Sequence, residues 1–300
     1  MGVIDVDHEI LSANARVAMH AAEQMMVHIA AEIKGDIDGL METLVPEGPY
    51  AYAIKPELNP DGSVTIPIAT TPEEIREWYK LIRGMSALLP GWPVIEVFGD
   101  WYTFQESISR GRRKGSDTVT ESPTIALFPS ARGSGITGEL VWYRMPGVGS
   151  GITPGGTGNQ TDLRKLGLEH HDRYVEALRT SNVDGILEIF TDHAQSAVRD
   201  YANDTGTLIG LHGAVDHSSY YRSLFDKYEI LRVDRMHRVA QDWYVFAELH
   251  VTVRARHEPA QERTLSFRNA EFFIPGNDGR FIARIGHGTD PMQDLLEAHP

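Results

Sequence analysis

Apolar residues recur at steps of three and four along residues 173–190, which is the pattern of an amphipathic helix. Ser181 and Asn182 interrupt the run, and these residue types favour the first position of a helix. The positions that define the apolar faces are Val175, Leu178, Val183, Ile186, Leu187 and Phe190. The pattern therefore predicts a helix over 163–179, a tight turn and a second helix over 183–190, which together cover an apolar surface.

The same pattern occurs earlier in the chain. Residues 35–44 (GDIDGLMETL) match 181–190 (SNVDGILEIF), and residues 99–106 (GDWYTFQE) match 241–248 (QDWYVFAE). Between them, Trp78 and Tyr79 correspond to Tyr220 and Tyr221. The offsets in chain order are 146, 142 and 142 residues, so one domain occurs twice.

Each copy begins with helices and continues with strands. The first copy is predicted to have helices over 9–34, 37–44 and 75–89, and strands near 50–54, 64–68, 93–97, 101–110, 118–128 and 136–144. The second copy adds a helix over 214–228 and strands near 195–200, 230–239, 243–256, 261–274 and 281–287. Helices followed by antiparallel strands are typical of the α+β class.

A glycine-rich stretch, PGVGSGITPGGTGNQT, follows the first copy at residues 146–161. Its composition is typical of a linker, and it lacks the spacing of a phosphate-binding loop. With room for two domains of about 150 residues, the chain divides into a first domain over 1–146, a linker over 147–162 and a second domain over 163–300.

Composition narrows the chemistry. The net charge is −14 and the chain contains no cysteine. Nucleic acid and anionic membranes are therefore disfavoured as partners, and disulfides, thiolate metal sites and a cysteine nucleophile are excluded. No apolar run approaches the ~18 residues of a membrane helix, and the acidic start does not resemble a signal peptide, so we expect a cytoplasmic protein.

Three stretches carry a family resemblance: RYVEAL with VDGILEIF, the helix that contains Tyr220 and Tyr221, and the final strands EFFIPGNDGRFIARIGHG. They resemble the nuclear transport factor 2-like superfamily, in its ketosteroid isomerase and SnoaL-like polyketide cyclase branch. The resemblance covers most of 163–290 and, more loosely, 15–144. It implies two tandem cone-shaped α+β barrel domains, each a curved antiparallel sheet wrapped around three helices, packed as an internal pseudo-dimer.

The resemblance assigns roles to residues of the second copy. Tyr174 matches the tyrosine that donates to a substrate oxyanion, and Tyr221 matches the tyrosine that hydrogen-bonds to it. The position of the catalytic base falls on Val198, so Asp200 fills that role only with a shift of two residues. The further substrate-binding candidates of this copy are Tyr220, Arg268, Trp243 and Phe272. These tyrosines and Asp200 also suit plain structural roles in helix packing and in a turn.

The family's second oxyanion donor, a protonated aspartate, falls on or beside Ala270, with Asn269 and Glu271 as neighbours. This departure argues against a faithful steroid isomerase. In the first copy the tyrosine position is His28 and the base position is Tyr52. The two pockets therefore cannot perform the same chemistry with the same residues.

Acid/base chemistry on an apolar substrate needs a group that titrates near neutrality and a donor that stabilises negative charge. His170 and His171 lie one turn before Tyr174 on the same predicted helix, so one of them should share its face, and His171 is the catalytic candidate of the two. His287 matches a pocket-lining position of the last strand in the family, whereas the alternation along the 243–256 strand directs His250 away from the pocket. No ligand spacing of a metal site occurs.

The first copy offers its own binding candidates, Tyr52, Tyr79, Trp78 and His28. A polar wall accompanies them on one strand face, formed by Thr103, Gln105, Ser107 and Ser109. Two interpretations stay open: the wall lines a second binding site, or its own side chains fill the space.

We hypothesise an enzyme without cofactor or metal, a lyase, dehydratase or isomerase, that acts on a hydrophobic, aromatic or polycyclic small molecule in the second domain. Tyr174, supported by Tyr221, would polarise a substrate oxygen while Asp200, His171 or His287 moves the proton. Loss of water or formaldehyde from an aryl-propane substrate fits phenol donors. The alternative is a non-catalytic binding or scaffold protein of the same fold, and further homo-oligomers are compatible with either.

Overall fold

The computed structural model describes residues 8–54, 56–60, 62–131, 135–145, 162–203, 205–257, 264–290 and 292–293. Contacts divide the chain into two compact units, the first formed by Met1–Ile54 and Ala69–Tyr143 and the second by Lys55–Ile68 and Arg144–Pro300. The predicted glycine-rich linker at 146–161 lies outside the described residues.

The first unit packs three helices and one main sheet. The helices are α1 (His8–Lys34), α2 (Ile37–Glu42) and α3 (Pro72–Met85). The strands are β1 (Ala51–Ala53), β4 (Ser86–Phe98), β5 (Tyr102–Arg113), β6 (Val119–Ala131), β7 (Gly135–Ile136) and β8 (Gly138–Tyr143). The sheet order is β1-β8-β6-β5-β4, in which β1 runs parallel to β8 and the other pairs are antiparallel.

The second unit repeats this plan. Its helices are α4 (Leu163–Arg179), α5 (Val183–Leu187) and α6 (Gly213–Lys227). Its strands are β9 (Phe190–Arg199), β10 (Leu208–His212), β11 (Tyr228–Ala240), β12 (Val245–Ala255), β13 (Thr264–Pro275), β14 (Phe281–Gly288) and β15 (Met292–Gln293). The order is β10-β9-β14-β13-β12-β11, with β9 parallel to β14 as β1 is to β8. The prediction of two tandem α+β copies, each with three helices, is confirmed.

Two predicted boundaries are wrong. The third helix ends at Met85, and residues 86–89, predicted as helix, begin β4 because Ser86 is extended and pairs with Arg113. The helix predicted to reach Phe190 ends at Leu187, and Phe190 instead starts β9 beside Phe281. In both places pairing with a distant strand overrides the local apolar spacing.

One short segment of the first half belongs to the second unit. Residues 55–68 leave the first unit after β1 and carry β2 (Glu57–Leu58) and β3 (Val64–Thr65), which pair with each other. The backbone N–H of Ile66 donates to the side-chain oxygen of Gln195 at 3.3 Å. The chain then returns to the first unit at Ala69, where Tyr52 and Ala69 form a bridge.

Each unit has its own apolar core between helices and sheet. In the second unit the core includes Tyr174, Tyr221, Leu249 and Phe273. In the first unit it includes Met25, Tyr52, Tyr79 and Phe128. The tyrosines singled out by sequence therefore lie inside the two cores, on the helix-facing side of each sheet.

The capping signal before α3 is formed as predicted. Thr71 accepts from the backbone N–H of Glu74, and the Glu74 carboxylate accepts from the Thr71 N–H in return. Because Thr71→Ala leaves helix N–H groups unsatisfied, we expect it to lower the free energy of unfolding by about 1 kcal/mol in urea denaturation. Glu77→Ala, which removes only an exposed partner of Lys80, is the control; equal losses in both variants would contradict the capping role.

Candidate active site

A cavity of about 750 Å³ lies in the first unit between α1, α3 and the sheet strands β4, β5, β6 and β8. Its helical side is apolar and flexible in shape, since α1 contributes Met25, Met26, Ile29 and Ile33. The volume is in the range of small-molecule sites in proteins. This cavity is large enough for a multi-ring ligand.

A polar strip crosses the opposite, strand-side wall. Gln105, Ser107 and Ser109 of β5 line the cavity, and Ser122 and Thr124 of β6 continue the strip. Alternation along a strand places the three β5 residues on one face. Gln105, Ser107 and Ser109 therefore border open space, and their own side chains do not fill it. Thr103, the fourth residue of the predicted polar wall, is buried and does not line the cavity.

Glu32 of α1 also lines the cavity. It follows His28 by one helical turn, so both side chains project from one face of α1. Its carboxylate accepts from Arg83 of α3 at 3.3 Å, and 16% of its side chain is exposed. Burial, and then the nearby charge of Glu139, raise the pKa of Glu32 to about 8 against the opposing effect of Arg83. At neutral pH this residue is mainly a carboxylic acid that faces the cavity.

Glu139 of β8 also lines the cavity and is joined to a buried hydrogen-bond chain. Tyr79 donates to Glu139 at 2.7 Å, the Tyr79 hydroxyl is 2.9 Å from Nε2 of His28, and Nδ1 of His28 is 2.6 Å from the hydroxyl of Thr43. Tyr52 is paired in register with Glu139 and packs edge-on against Tyr79 at 6.1 Å. Three first-copy candidates, His28, Tyr52 and Tyr79, are thus brought together.

Trp78 lies apart from that group. It precedes Tyr79 on α3 and is only partly buried, at the edge of the core. Together with Glu73, Glu74, Glu77 and Leu81 it lines a separate shallow depression. A side chain one position along a helix points about 100° away, which is why the two adjacent candidates separate.

The second unit places its two candidate tyrosines together. The hydroxyls of Tyr174 and Tyr221 are 3.4 Å apart, as the family resemblance implies. The guanidinium of Arg284, from β14, donates to the Tyr221 hydroxyl at 2.5 Å and lies 5.2 Å from the centre of the Tyr174 ring. A cation therefore lies beside the position at which a substrate oxyanion was expected.

Glu271 neutralises that arginine. Its carboxylate accepts from Nε of Arg284 at 2.7 Å and from the NH2 group at 2.6 Å, and both residues are buried. Burial raises the pKa of Glu271, while Arg284 acts to lower it. Burial also raises the pKa of Tyr174 well above its usual value, so the phenol stays protonated. The centre of this unit is occupied by a protein ion pair.

His171 is buried beside Tyr174. Its ring packs against Phe273 at 5.4 Å and against Tyr174 at 6.2 Å. Burial, followed by the charges of Arg238 and Arg235, lowers the pKa of His171 to about 3, so the ring is neutral at physiological pH. Within the described part of the chain neither ring nitrogen has a hydrogen-bond partner. The predicted proximity of His171 and Tyr174 is present, but no carboxylate orients the imidazole.

Asp200 closes a turn. At the end of β9 it accepts from the backbone N–H of Asn203 at 2.9 Å and from the Thr205 hydroxyl at 3.1 Å. The structure does not bring it to the hydroxyls of Tyr174 and Tyr221. Asp200 therefore has the structural role in a turn that its residue type favours.

His287 lies on the other face of the sheet. It follows Arg284 by three positions on β14, and an odd separation along a strand reverses the side. Its ring is buried, and burial together with the charge of Arg199 lowers the pKa of His287 to about 3. The structure therefore separates His287 from the tyrosine pair, although the sequence placed it on the lining face.

The remaining second-copy candidates are also dispersed. Arg268 and Phe272 alternate with Glu271 and Phe273 on β13, so they share the outer face with His287. The hydroxyl of Tyr220 donates to the backbone oxygen of Arg199 at 3.1 Å. Trp243 lies in the turn before β12 and packs edge-on against Tyr244.

Sequence reasoning missed the charged residues of both interiors: Glu32, Arg83 and Glu139 in the first unit, and Arg284 in the second. A signal for two of them was present. Glu32 follows His28 by four residues, and Arg83 follows Tyr79 by four, so each charged residue shares a helix face with a candidate already singled out. Glu139 and Arg284 are on strands, where no local spacing ties them to the helices.

Solved structures similar to this chain include the epoxide hydrolase/cyclase-like enzyme SalBIII, which has a role in pyran ring formation in the polyether salinomycin. It is 16% identical, with a TM-score of 0.37, and the match covers 43% of this chain and 97% of the other. An LEH-like epoxide hydrolase from M. tuberculosis is 13% identical, with 42% of this chain and 84% of the other covered and a TM-score of 0.34.

A candidate polyketide cyclase from Xanthomonas campestris pv. campestris is 17% identical, with 45% and 96% covered and a TM-score of 0.34. Each of these three matches covers less than half of this chain and most of the other chain. No family model matches the sequence, and no curated protein is significantly similar to it.

The described residues contain no helix long and apolar enough to span a membrane. They also contain no group of three or more histidine, aspartate or glutamate side chains arranged to hold a metal ion.

Proposed function

We propose that the first unit binds a hydrophobic small molecule in its cavity and performs general acid/base chemistry on it with Glu32. The observation that supports this most directly is a carboxyl group that holds its proton near neutrality and faces an open, largely apolar cavity. A pKa close to the working pH is what an efficient proton donor or acceptor requires.

The arrangement favours an acid-first reaction. Glu32 gives its proton to a substrate oxygen that leaves or is polarised, and Arg83 at 3.3 Å stabilises the carboxylate that forms. The carboxylate can then take a proton from a C–H or O–H group of the substrate, which restores the starting state. Elimination of water, loss of formaldehyde from an aryl-propane substrate and double-bond isomerisation all follow this order.

The side chains that line the cavity indicate the class of substrate. Methionine and isoleucine side chains of α1 suit an aromatic or polycyclic body, whereas Gln105, Ser107 and Ser109 suit hydroxyl or carbonyl groups at its edge. We therefore propose an apolar, oxygen-bearing substrate. Our sequence-based hypothesis placed the reaction in the second unit, but there the Arg284–Glu271 pair occupies the position beside Tyr174.

A binding protein without activity is the second candidate. Methionine-rich walls adapt to ligands of different shapes, and Met25 and Met26 line this cavity. In that case ligands bind the first unit without turnover, and the titration of Glu32 affects affinity only.

The test combines binding with turnover. Neutral naphthols are titrated by fluorescence, and aryl-propane diols and apolar alcohols are screened for conjugated products by absorbance. We expect Glu32→Gln to retain naphthol binding and to lower turnover about 10²–10⁴-fold, the contribution of a positioned acid or base. Tyr174→Phe and Glu271→Gln are the matched changes in the second unit and should leave turnover unchanged.

Each other outcome has a definite meaning. Turnover that survives Glu32→Gln but is lost in Tyr174→Phe would return the reaction to the second unit and reject the proposal. Binding by the first unit without turnover of any member of the panel would favour the binding protein. Because Glu271→Gln alters a buried ion pair, its folding is checked by circular dichroism before its turnover is compared.

A further inference from the structure

Four side chains of the first unit form a continuous buried chain: Thr43, His28, Tyr79 and Glu139. The three contacts along it measure 2.6, 2.9 and 2.7 Å. His28 is fully buried, and Tyr79 is 1% exposed. Water therefore cannot replace a missing partner at His28 or Tyr79, and every contact must contain a proton between its two atoms.

At the Thr43 end of this hydrogen-bond chain, the position of one proton is determined. The Thr43 hydroxyl donates to the backbone oxygen of Leu40 at 2.7 Å, so its single proton is already used. It can then only accept from His28, which means that Nδ1 of His28 carries a proton. The neutral tautomer defined by Thr43 has its proton on Nδ1 and a bare Nε2.

The other end requires one more proton. Tyr79 has a single hydroxyl proton, but its oxygen lies 2.9 Å from Nε2 of His28 and 2.7 Å from Oε2 of Glu139. With a bare Nε2 and an ionised Glu139, one of these buried contacts would bring two lone pairs face to face. Such a contact leaves a buried polar group unsatisfied, which destabilises the folded state.

We propose that His28 and Glu139 share one proton through Tyr79. In one state His28 is an imidazolium whose Nε2–H donates to Tyr79, and Tyr79 donates to the Glu139 carboxylate. In the other state Tyr79 has passed its proton to Oε2 of Glu139 and has taken the Nε2 proton of His28, which it donates back as a hydrogen bond. The charges of imidazolium and carboxylate disappear together, so protons and charge balance.

The shared proton connects a sealed site to the cavity. Glu139 lines the cavity, and its negative charge contributes to the raised pKa of Glu32. When the proton moves to Glu139 that repulsion ends, so Glu32 can ionise more easily; when the proton returns to His28, Glu32 is again favoured as an acid. Arg83, which lies against Glu32, provides the positive charge in both states. His28 is a positioning residue in this scheme.

Nitrogen-15 NMR of the histidines in the full-length protein tests the proton count without any substrate. The His28 signals are assigned by their loss in His28→Gln or, if that variant does not fold, by contacts to the Thr43 methyl group and the Tyr79 ring. We expect a protonated Nδ1 and an Nε2 shift between the protonated and bare values. A bare Nδ1 with a protonated Nε2 would overturn the proposal.

Two variants and one control variant extend the NMR test. Glu139→Gln removes the second proton acceptor, so Nε2 of His28 should move fully to the bare value while Nδ1 stays protonated. Thr43→Val should release the tautomer, whereas Thr103→Val, a buried threonine outside the chain, should leave both signals in place. An Nε2 signal that ignores Glu139→Gln would show that no proton is shared. These outcomes do not depend on Glu32 being catalytic, so this inference and the proposed reaction can fail separately.

Discussion

Arg284→Met should lower the free energy of unfolding by about 3–5 kcal/mol, because it leaves Glu271 buried without its partner. The two carboxylate–guanidinium contacts of 2.7 and 2.6 Å are the hydrogen bonds that stabilise the Glu271 charge. The Tyr221 hydroxyl also loses the donor at 2.5 Å. Urea denaturation of the full chain, followed by circular dichroism and fluorescence, measures the loss.

The matched double variant separates the pair from its packing. Glu271→Leu combined with Arg284→Met removes both charges, and replacing a buried pair with apolar side chains is often neutral or stabilising. We therefore expect the double variant to recover most of the loss. Arg173→Gln, which breaks an exposed 2.8 Å pair with Glu188, is the surface control and should cost less than about 1 kcal/mol. A loss from Arg284→Met as small as that of the control would contradict the structural role.

Glu32→Gln should make the protein more stable at alkaline pH, by on the order of 4 kcal/mol. The folded-state pKa of Glu32 is raised from 4.5 to about 8, so between these values the native state holds a proton that the unfolded state has lost. Stability from this group is complete below about pH 4.5 and is lost as the pH rises through 8. Glutamine has no proton to lose, so the variant lacks this decline.

The measurement is a set of urea midpoints from about pH 4 to 9 for wild type and Glu32→Gln. We expect the curves to meet near pH 4.5, to separate steadily between about pH 4.5 and 8, and to keep a constant separation above that. Glu23→Gln, an exposed glutamate on the same helix, should run parallel to the wild type throughout. Parallel curves for Glu32→Gln as well would mean that Glu32 titrates normally, and the basis for its role as an acid at neutral pH would be lost.

The two units show how one fold supports different interiors. Tyr79 and Tyr221 occupy equivalent positions on the third helix of their units, and each hydroxyl contacts a charged side chain from the sheet. In the first unit that partner is Glu139, at the edge of an open cavity; in the second it is Arg284, already neutralised by Glu271. The function therefore depends on the site and not on the fold alone.

The sequence by itself determined the repeat, the helices and the fold class. Apolar spacing, the Thr71 capping signal and the duplicated motifs are local, so they are readable without knowing what each face contacts. The family resemblance, and not local spacing, drew attention to Tyr174 and Tyr221 in one copy and to His28 and Tyr79 in the other. Local spacing does not determine helix ends such as Met85, where pairing of Ser86 with Arg113 begins a strand.

Only the tertiary structure showed that the interior of the first unit contains a cavity and what the charges around it do. Tyr79 and Glu139 are 60 residues apart, yet a 2.7 Å hydrogen bond joins them. The raised pKa of Glu32 comes from burial and from the charge of Glu139, and neither can be recognised from the local spacing of residues in the sequence. Glu271 and Arg284 face the interior of the second unit. Because side chains alternate along a strand, Phe272 and His287 therefore lie on the outer face of the sheet. Burial and ionisation depend on long-range contacts, and those exist only after the chain has folded.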